Sequence, residues 1–278
     1  MATIGFVTTS VLPAMPGSDL LTATALETLG HEVRSVRWEV DDPTGLDLLV
    51  FRSCWNYHLV EAEFRRWLGT LGSLRVVNSP EIVSWNLDKR YLLEVGQHAG
   101  IVATEIVEDA MPAEIALLCQ SRGWERAVIK PAVGSTAYRS RRLLTKIDFE
   151  SLSDEDVAGA MLVQPYLEEI ETNGEYSLMF FGGEYSHAVI KRPASGDYRV
   201  QEEHGGSTAR VEPEAGLREA AHRALGASPA KPAYARVDLV RTAAGPLVME
   251  VELIEPELYI EHAPEAAGRF AQALTEGA

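Results

Sequence analysis

Two strand-like segments near the C-terminus constrain the fold of this chain more than any other feature. In residues 234–240 and 248–254 apolar and charged side chains alternate, and a short turn containing Gly245 separates the two segments. Side chains two residues apart on a strand leave the same face of the sheet, so Glu250 and Glu252 point in the same direction. The pattern predicts an antiparallel hairpin that gathers its charged side chains on one face.

The register of this hairpin brings like charges together. If the strands pair symmetrically about Ala244, Asp238 lies opposite Glu250 and Arg236 lies opposite Glu252. Directly opposed carboxylates destabilise a sheet, so the pairing needs a compensating cation. Mg²⁺ is typically held by one or two carboxylates together with substrate phosphates, which makes the hairpin a candidate magnesium site. The alternative interpretation is a solvated acidic edge in a chain that is acidic throughout.

The composition excludes several classes of function. The chain has 278 residues, of which 46% are hydrophobic, enough for two or three small lobes with packed cores. The net charge of −16 argues against nucleic acid or an anionic membrane as a partner, and any phosphate site needs locally concentrated lysine and arginine. No segment approaches the roughly 20 apolar residues of a membrane span, and no signal peptide precedes the first strand. We therefore expect a cytoplasmic protein.

The first part of the chain has the pattern of a small α/β domain. Strand-like and helical segments alternate over residues 4–9, 19–29, 32–38, 46–51 and 61–71. This alternation predicts a parallel sheet, and ligands of open parallel sheets bind beyond the carboxyl ends of the strands. Arg52 and Asn56 follow the third strand at that edge. They are candidate substrate-binding residues, although a loop bonded to itself is an equal alternative.

The remainder of the chain predicts two further lobes. Ser79-Pro80 predicts a helix start, and the helical pattern continues over residues 86–95. Strands are expected at 127–131, 161–163, 175–181 and 185–191, and a closing helix at 263–274. We divide the chain into an N-terminal α/β domain (1–85), a central lid domain (86–162) and a C-terminal domain with the metal site (163–278). The predicted fold class is α/β, with α+β character in the later lobes.

Three spaced lysines are the candidates for binding phosphate. The chain contains neither the phosphate-binding loop of P-loop proteins nor the glycine fingerprint of dinucleotide-binding folds. It offers Lys89, Lys130 and Lys191 instead, each of which taken alone is more typical of a protein surface. Lys130 interrupts an apolar strand and precedes a loop of small residues, Gly134-Ser135-Thr136, whose backbone N–H groups could hold phosphate.

The order of these features resembles the ATP-grasp superfamily, which includes glutathione synthetase and D-alanine–D-alanine ligase. The matching motifs are Asp88-Lys89, Lys130-Pro131, Gly134-Ser135-Thr136, Gln164-Pro165-Tyr166-Leu167, Gly174-Glu175, Arg236-x-Asp238 and Glu250-x-Glu252. Each motif is short and common, but their order and separation extend over nearly the whole chain. The resemblance implies an ATP-grasp fold, in which two lobes after the parallel N-terminal lobe grip ATP.

The resemblance also implies a role for each matching residue. ATP is expected to contact Lys89, Lys130, Gln164, Tyr166, Leu167, Glu175 and Lys191. Asp238, Glu250 and Glu252 are expected to bind Mg²⁺, with two ions in the complete site. Arg236 and Lys191 are expected to be the catalytic cations. Many relatives have asparagine at the position of Glu252, so this chain differs from them in a ligand of the second ion.

The implied chemistry is ADP-forming ligation of a carboxylate to an amine. ATP phosphorylates the carboxylate of a small amino-acid-like substrate to an acylphosphate, and a nitrogen nucleophile then displaces phosphate. Arg236 and the metal stabilise the developing charge. A lid formed by residues 90–160 is expected to exclude water, because acylphosphates hydrolyse.

A polar, glycine-containing loop over residues 192–206 is the candidate substrate-binding loop. Arg199 can pair with a substrate carboxylate, His204 can act as a base or a hydrogen-bonding group, and Gly205 and Gly206 allow close approach of the backbone. Together with residues 52–58, this loop is similar to an amino-acid-processing subgroup that includes the cyclo-ligase of D-cycloserine biosynthesis. That similarity implies ring closure of O-ureido-D-serine.

Three other functions stay open at this point. A dipeptide or amino-acid amide ligase has the same motifs but joins two molecules. A nucleotide-binding protein without ligase activity would be expected to lack a metal ligand, and an ATP-grasp kinase would release phosphorylated product without forming an amide. The chain is also a possible homodimer.

Overall fold

The computed structural model describes residues 1–193 and 206–276, and within these ranges the strands form three sheets. The first sheet is parallel, as predicted, with the order β2-β1-β3-β4. Its elements are β1 (Thr3–Thr8), α1 (Gly17–Thr28), β2 (Glu32–Arg37), β3 (Leu48–Phe51), α2 (Glu61–Thr70) and β4 (Val76–Val77). The carboxyl ends of β1 and β3 lie side by side and lead into the loops that face the rest of the molecule.

Two short helices follow where the sequence predicted a helix that starts at Pro80 and continues over residues 86–95. Helix α3 (Pro80–Asn86) is capped by Ser79, whose hydroxyl accepts from the Ile82 N–H at 3.4 Å, and Pro80 occupies the first turn as predicted. Helix α4 (Tyr91–Val95) begins only after a turn over residues 87–90. Lys89 therefore lies on a turn and not on a helix.

The central sheet is antiparallel and has the order β5-β8-β6-β7. Its elements are β5 (Glu105–Glu108), α5 (Pro112–Arg122), β6 (Ala127–Pro131), β7 (Arg141–Leu143), α6 (Lys146–Glu150) and β8 (Ala160–Pro165). Side chains of α5 share a core with β6 and β8. The sequence analysis did not identify α5, although Pro112 in its first turn and the left-handed Gly123 at its end are helix signals.

The C-terminal sheet is antiparallel and has the order β11-β10-β9-β12-β13. Its elements are α7 (Glu169–Asn173), β9 (Glu175–Phe181), β10 (Glu184–Arg192), β11 (Ser207–Val211), α8 (Ala215–Leu225), β12 (Tyr234–Thr242), β13 (Gly245–Glu252) and α9 (Ala266–Glu276). One face packs against α3, α4 and α8, and the other packs against α1 and α9. The predicted domain boundary at 85/86 falls within α3, which shares one core with α4.

The register predicted for the hairpin is confirmed. Asp238 lies opposite Glu250 and Arg236 lies opposite Glu252. Near the turn the pairing differs, because Leu239 lies opposite Val248 and Met249 is left as an extra residue in β13. This bulge is the reason that symmetry about Ala244 holds only for residues 236–238 and their partners.

None of the helices in the described part of the chain is both long enough and apolar enough to cross a bilayer.

Candidate active site

A cavity of about 460 Å³ is lined by residues of the central and C-terminal sheets. Its lining includes every residue predicted to contact ATP, to bind a metal ion or to act as a catalytic cation: Lys89, Lys130, Gln164, Tyr166, Leu167, Glu175, Lys191, Arg236, Asp238, Glu250 and Glu252. The fold therefore brings together residues that are far apart in the sequence. Their individual roles stay predictions.

Lys89 lies at the cavity because the neighbouring Asn86 side chain is hydrogen-bonded to the backbone of β13 and of the residue that follows it. This strand is the outermost one in its sheet, so one of its edges has no neighbouring strand. Asn86 exchanges hydrogen bonds of 2.8 Å with the backbone of Val251 and Leu253 on that edge. The turn after α3 is thereby fixed on β13, and the Lys89 ammonium forms an ion pair with Glu250.

Arg236 connects the acidic groups of the two hairpin strands. Its Nε and Nη2 donate to the carboxylate of Asp238 over distances of 2.9 to 3.2 Å, and Nη2 also forms an ion pair with Glu252. Its Nη1 donates to the backbone carbonyl of Glu257 at 3.2 Å. The planar, forked guanidinium can satisfy these acceptors at the same time.

The carboxylate of Asp238 has a pKa well below its usual value. Its Oδ1 accepts from the Ser177 hydroxyl and lies 3.5 Å from the Lys191 ammonium, which is also paired with Glu175. Burial raises the pKa of Asp238, but Arg236 and Lys191 together outweigh burial and hold this pKa at about 2. Asp238 therefore keeps its charge at neutral pH.

The pKa of Glu252 is shifted in the opposite direction, upward. Burial is the largest effect and raises the pKa of its carboxyl to about 8, while Arg236 only partly opposes burial and the neighbouring carboxylates add to it. Glu250 differs from Glu252, because Lys89 and Lys130 outweigh the effect of burial and lower its pKa. The pKa values of the two glutamates on one face of β13 are thus shifted in opposite directions.

Lys130 is the one lysine of this cavity for which the described residues provide no ionic or hydrogen-bonding partner. It lies on β6 between the buried residues Ile129 and Pro131, and its own side chain is half-buried. Removal from solvent lowers the pKa of its ammonium, and Glu250 only partly opposes this effect. An ammonium without a partner in a cavity is suited to bind an anionic ligand such as phosphate.

The motif Gln164-Pro165-Tyr166-Leu167, which the resemblance assigns to ATP, lines the cavity. The Gln164 side chain turns away to donate to the Thr104 hydroxyl at 2.8 Å. The Tyr166 ring lies 5.5 Å from the Arg126 guanidinium, and its hydroxyl bonds Glu171. Contact between Gln164 and a base is therefore expected through the main chain.

The small-residue loop after β6 closes over the cavity. Gly134, Thr136 and Tyr138 are among the residues that line it. Thr136 has a φ of 50°, a conformation that non-glycine residues rarely adopt and that concentrates at functional sites. The Tyr138 ring lies 4.7 Å from the His58 ring, so the loop reaches the N-terminal domain.

Two of the predicted substrate-binding residues do not line the cavity. Arg52 is 2% exposed, and its Nε donates to Asp19 at 2.7 Å while Nη2 donates to the Pro256 carbonyl at 2.9 Å. Asn56 donates to Glu39 at 2.6 Å, on the far side of the loop. Both side chains hold neighbouring segments in place in this structure, and their assignment to a substrate stays a prediction.

The other predicted substrate-binding residues are only partly described. Arg199, His204 and Gly205 lie outside the described residues. Gly206 is described immediately before β11 and is not part of the cavity lining.

Sequence reasoning missed a further group of lining residues, Trp55, Tyr57 and Glu255. Glu255 is 7% exposed and accepts a hydrogen bond from the Tyr57 hydroxyl. The signal was present in the sequence, since Glu255-Pro256 follows the acidic strand directly and continues its series of glutamates.

The chemistry of the acidic residues fits Mg²⁺ only if substrate phosphates complete the coordination. Within the described residues, no three acidic, histidine or cysteine side chains are grouped so that they could hold one ion by themselves. Asp238 is fully engaged by Arg236 and Ser177, whereas Glu250 has a single cationic partner. One or two carboxylates with phosphate oxygens are the usual ligands of Mg²⁺.

Replacing Lys130 with alanine is expected to weaken ATP binding by roughly 10- to 100-fold. A hydrogen bond to a charged group contributes about 1.5–3 kcal/mol, and about 1.4 kcal/mol corresponds to a factor of ten. Isothermal titration calorimetry with ATP measures the change, and Lys146→Ala is the matched control because that side chain is 88% exposed. Equal affinities for the Lys130 variant and the wild type would remove Lys130 from the nucleotide site.

Comparison with known proteins gives consistent results along the chain. Residues 4–78 match the family described as the N-terminal domain of D-cycloserine synthetase DcsG. Over 274 residues the chain is 32% identical to the cycloserine biosynthesis protein DcsG of Streptomyces lavendulae, and the match covers 91% of each chain. The crystal structure of D-cycloserine synthetase DcsG is similar with a TM-score of 0.88, at 29% identity over 99% of both chains.

More distant structures share the fold. The ATP-grasp RimK domain protein from Sphaerobacter thermophilus gives a TM-score of 0.74 at 16% identity, over 98% of this chain and 99% of that one. D-alanine–D-alanine ligase from Bacillus anthracis in complex with ATP gives 0.69 at 16% identity, over 99% and 97%. The predicted ATP-grasp fold is confirmed, and the chain belongs to the D-cycloserine synthetase family of ATP-dependent ligases, which form carbon–nitrogen bonds.

Proposed function

We propose that this chain is an ADP-forming cyclo-ligase, which activates the carboxylate of a small amino-acid-like substrate and closes it onto a nitrogen of the same molecule. The conversion of O-ureido-D-serine to D-cycloserine is the specific reaction. Its main support is one observation: four cationic side chains and six acidic ones line a single cavity in a chain that is 32% identical to a cycloserine biosynthesis protein.

The distribution of charge in the cavity supports the nucleotide part of the proposal. ATP carries several negative charges into a chain with a net charge of −16, so the site has to supply positive charge locally. Lys89, Lys191 and Arg236 are held in place by acidic partners, and Lys130 is left to bind phosphate. Mg²⁺, held by Glu250 and Glu252 together with phosphate oxygens, would neutralise the charge of the transferring phosphoryl group.

Each step of the proposed reaction can then be assigned to residues of the cavity. Lys130 and Lys89 orient the phosphates, and Arg236 faces the carboxylate that accepts the phosphoryl group. Phosphoryl transfer makes the acylphosphate, and the ureido nitrogen that is bonded to oxygen attacks its carbonyl carbon with loss of phosphate. Hydrolysis of the carbamoyl group on that nitrogen, with release of carbon dioxide and ammonia, then leaves D-cycloserine. The loop with Tyr138 excludes water from this intermediate.

A substrate panel tests the proposal. ADP release is measured with D-serine derivatives, including O-ureido-D-serine, and with pairs of amino acids, and mass spectrometry identifies each product. We expect ADP with the ureido compound alone and a cyclic product from one substrate molecule. A dipeptide product would support intermolecular ligation instead, and a stable phosphorylated product would support a kinase.

A further inference from the structure

Five successive backbone carbonyls after β13 are each bonded by a side chain from elsewhere in the chain. The segment 253–257 is irregular, so no neighbouring strand satisfies these groups. The pairs are Leu253 with Asn78 (2.7 Å), Ile254 with Tyr234 (2.7 Å), Glu255 with Trp55 (2.9 Å), Pro256 with Arg52 (2.9 Å) and Glu257 with Arg236 (3.2 Å). Such an arrangement fixes the backbone and hence the direction of its side chains.

Glu255 and Glu257 are the two carboxylates of this segment that line the cavity without an ion pair among the described residues. Glu257 accepts hydrogen bonds from both the Ser18 hydroxyl and the Tyr259 N–H. The other carboxylates of the cavity are engaged: Glu175 and Asp238 with Lys191, Glu250 with Lys89, Glu252 with Arg236, and Glu257 with the Ser18 hydroxyl at 2.6 Å. Glu255 has the Tyr57 hydroxyl as its hydrogen-bonding side chain. It is therefore a carboxylate that can still accept a proton.

Burial brings the pKa of the Glu255 carboxyl into the neutral range. Burial is the largest effect and raises this pKa to about 7, while Tyr57, Lys89 and Arg236 oppose it. The other titratable groups that act on Glu255 or are acted on by it are Glu252, Cys54 and Tyr234. A base with a pKa near the working pH combines a useful deprotonated fraction with affinity for the proton.

We propose that Glu255 accepts the proton of the attacking nitrogen in the ligation step. This inference rests on the proposed function. The nitrogen lone pair attacks the acyl carbon, the new C–N bond forms, and the bond between that carbon and the phosphate oxygen breaks with its electron pair leaving on phosphate. The N–H proton passes to the Glu255 carboxylate and from there to solvent. Tyr57 is a positioning residue, since it orients this carboxylate.

The test separates activation of the carboxylate from formation of the amide. Hydroxylamine in the reaction traps acylphosphate as a hydroxamate, and cyclic product is measured in parallel without hydroxylamine. For Glu255→Gln we expect cyclisation to fall by about 10²- to 10⁴-fold, as for loss of a general base. Hydroxamate formation and the substrate KM should stay near wild type, and Glu265→Gln, an exposed surface carboxylate, should change neither rate.

The pH profile gives a second measurement that does not depend on the glutamine variant. Glu255 acts as a base when deprotonated, so wild-type kcat should fall as pH decreases through about 7. The Tyr57 hydrogen bond lowers the pKa of Glu255. In Tyr57→Phe the fall of kcat with decreasing pH should therefore begin at a higher pH than in the wild type.

Three outcomes would overturn the assignment. A rise in substrate KM with unchanged kcat for Glu255→Gln would make Glu255 a binding residue. Equal losses of hydroxamate and cyclic product would place it in the activation step. Absence of hydroxamate with the wild-type enzyme would refute the proposed function and, with it, this role of Glu255.

Discussion

Replacing Glu250 with glutamine is expected to lower turnover by about 10²- to 10³-fold while the protein stays folded. Lys89 and Lys130 keep Glu250 ionised, so its charge is present when nucleotide binds. Glutamine keeps the shape but removes the charge that pairs with Lys89 and that is predicted to bind Mg²⁺. Loss of one preorganised electrostatic contact at a transition state typically raises the barrier by about 2.7–4 kcal/mol, which corresponds to this factor.

A magnesium titration of kcat measures the effect. We expect the Glu250 variant to need more Mg²⁺ than the wild type and to stay slower at saturation. Glu212→Gln is the matched control, because Glu212 pairs with Arg218 at the surface. Wild-type activity of the Glu250 variant at ordinary magnesium concentrations would remove Glu250 from the metal site.

Arg236→Lys is expected to lower kcat by a similar factor of about 10²–10³. The guanidinium holds the carboxylate of Asp238 through two nitrogens while it also pairs with Glu252 and bonds the Glu257 carbonyl. A lysine ammonium keeps the charge but cannot reproduce the planar fork, so the hairpin acids and the segment 253–257 lose their common partner.

Arg236→Ala extends this prediction to stability. It leaves Asp238 buried with Lys191 as its remaining cation, and removal of one partner of a buried ion pair typically destabilises by about 3–5 kcal/mol. Urea denaturation of Arg236→Ala measures the loss of unfolding free energy. Steady-state kinetics at saturating substrate measure kcat for the folded Arg236→Lys variant. A folded Arg236→Lys enzyme with normal kcat would show that Arg236 has a structural role alone.

The local pattern of the sequence was sufficient to predict which charged residues of the hairpin lie opposite each other. Alternation and a glycine turn determine the faces of β12 and β13, so the opposition of Asp238 and Glu250 follows from elementary sheet geometry. The bulge at Met249 does not follow from it, since no single residue type marks that position. The ATP-grasp motifs identified further residues of the cavity lining, because their order along the chain is informative even though each is short.

The structural environment could not be predicted for residues whose contacts join distant segments of the chain. Arg52 has the composition and the position of a ligand-binding residue at a strand end, yet the segment that it bonds, at Pro256, is more than 200 residues away. Lys89 looked helical because residues 86–95 are good helix formers, but bonds from Asn86 to β13 interrupt the helix there. Glu255 was not identified because it belongs to none of the ATP-grasp motifs. Its burial and its hydrogen bond with Tyr57 distinguish it, and both depend on the folded structure.

The central claim is that ATP activates a substrate carboxylate as an acylphosphate, and oxygen transfer tests it most directly. O-ureido-D-serine labelled with ¹⁸O in its carboxylate is converted with ATP, and the inorganic phosphate is examined by mass spectrometry. We predict one labelled oxygen in phosphate for each ADP formed, because the carboxylate oxygen leaves with the phosphoryl group when nitrogen attacks. Unlabelled phosphate together with ADP, or label recovered in AMP, would contradict the account.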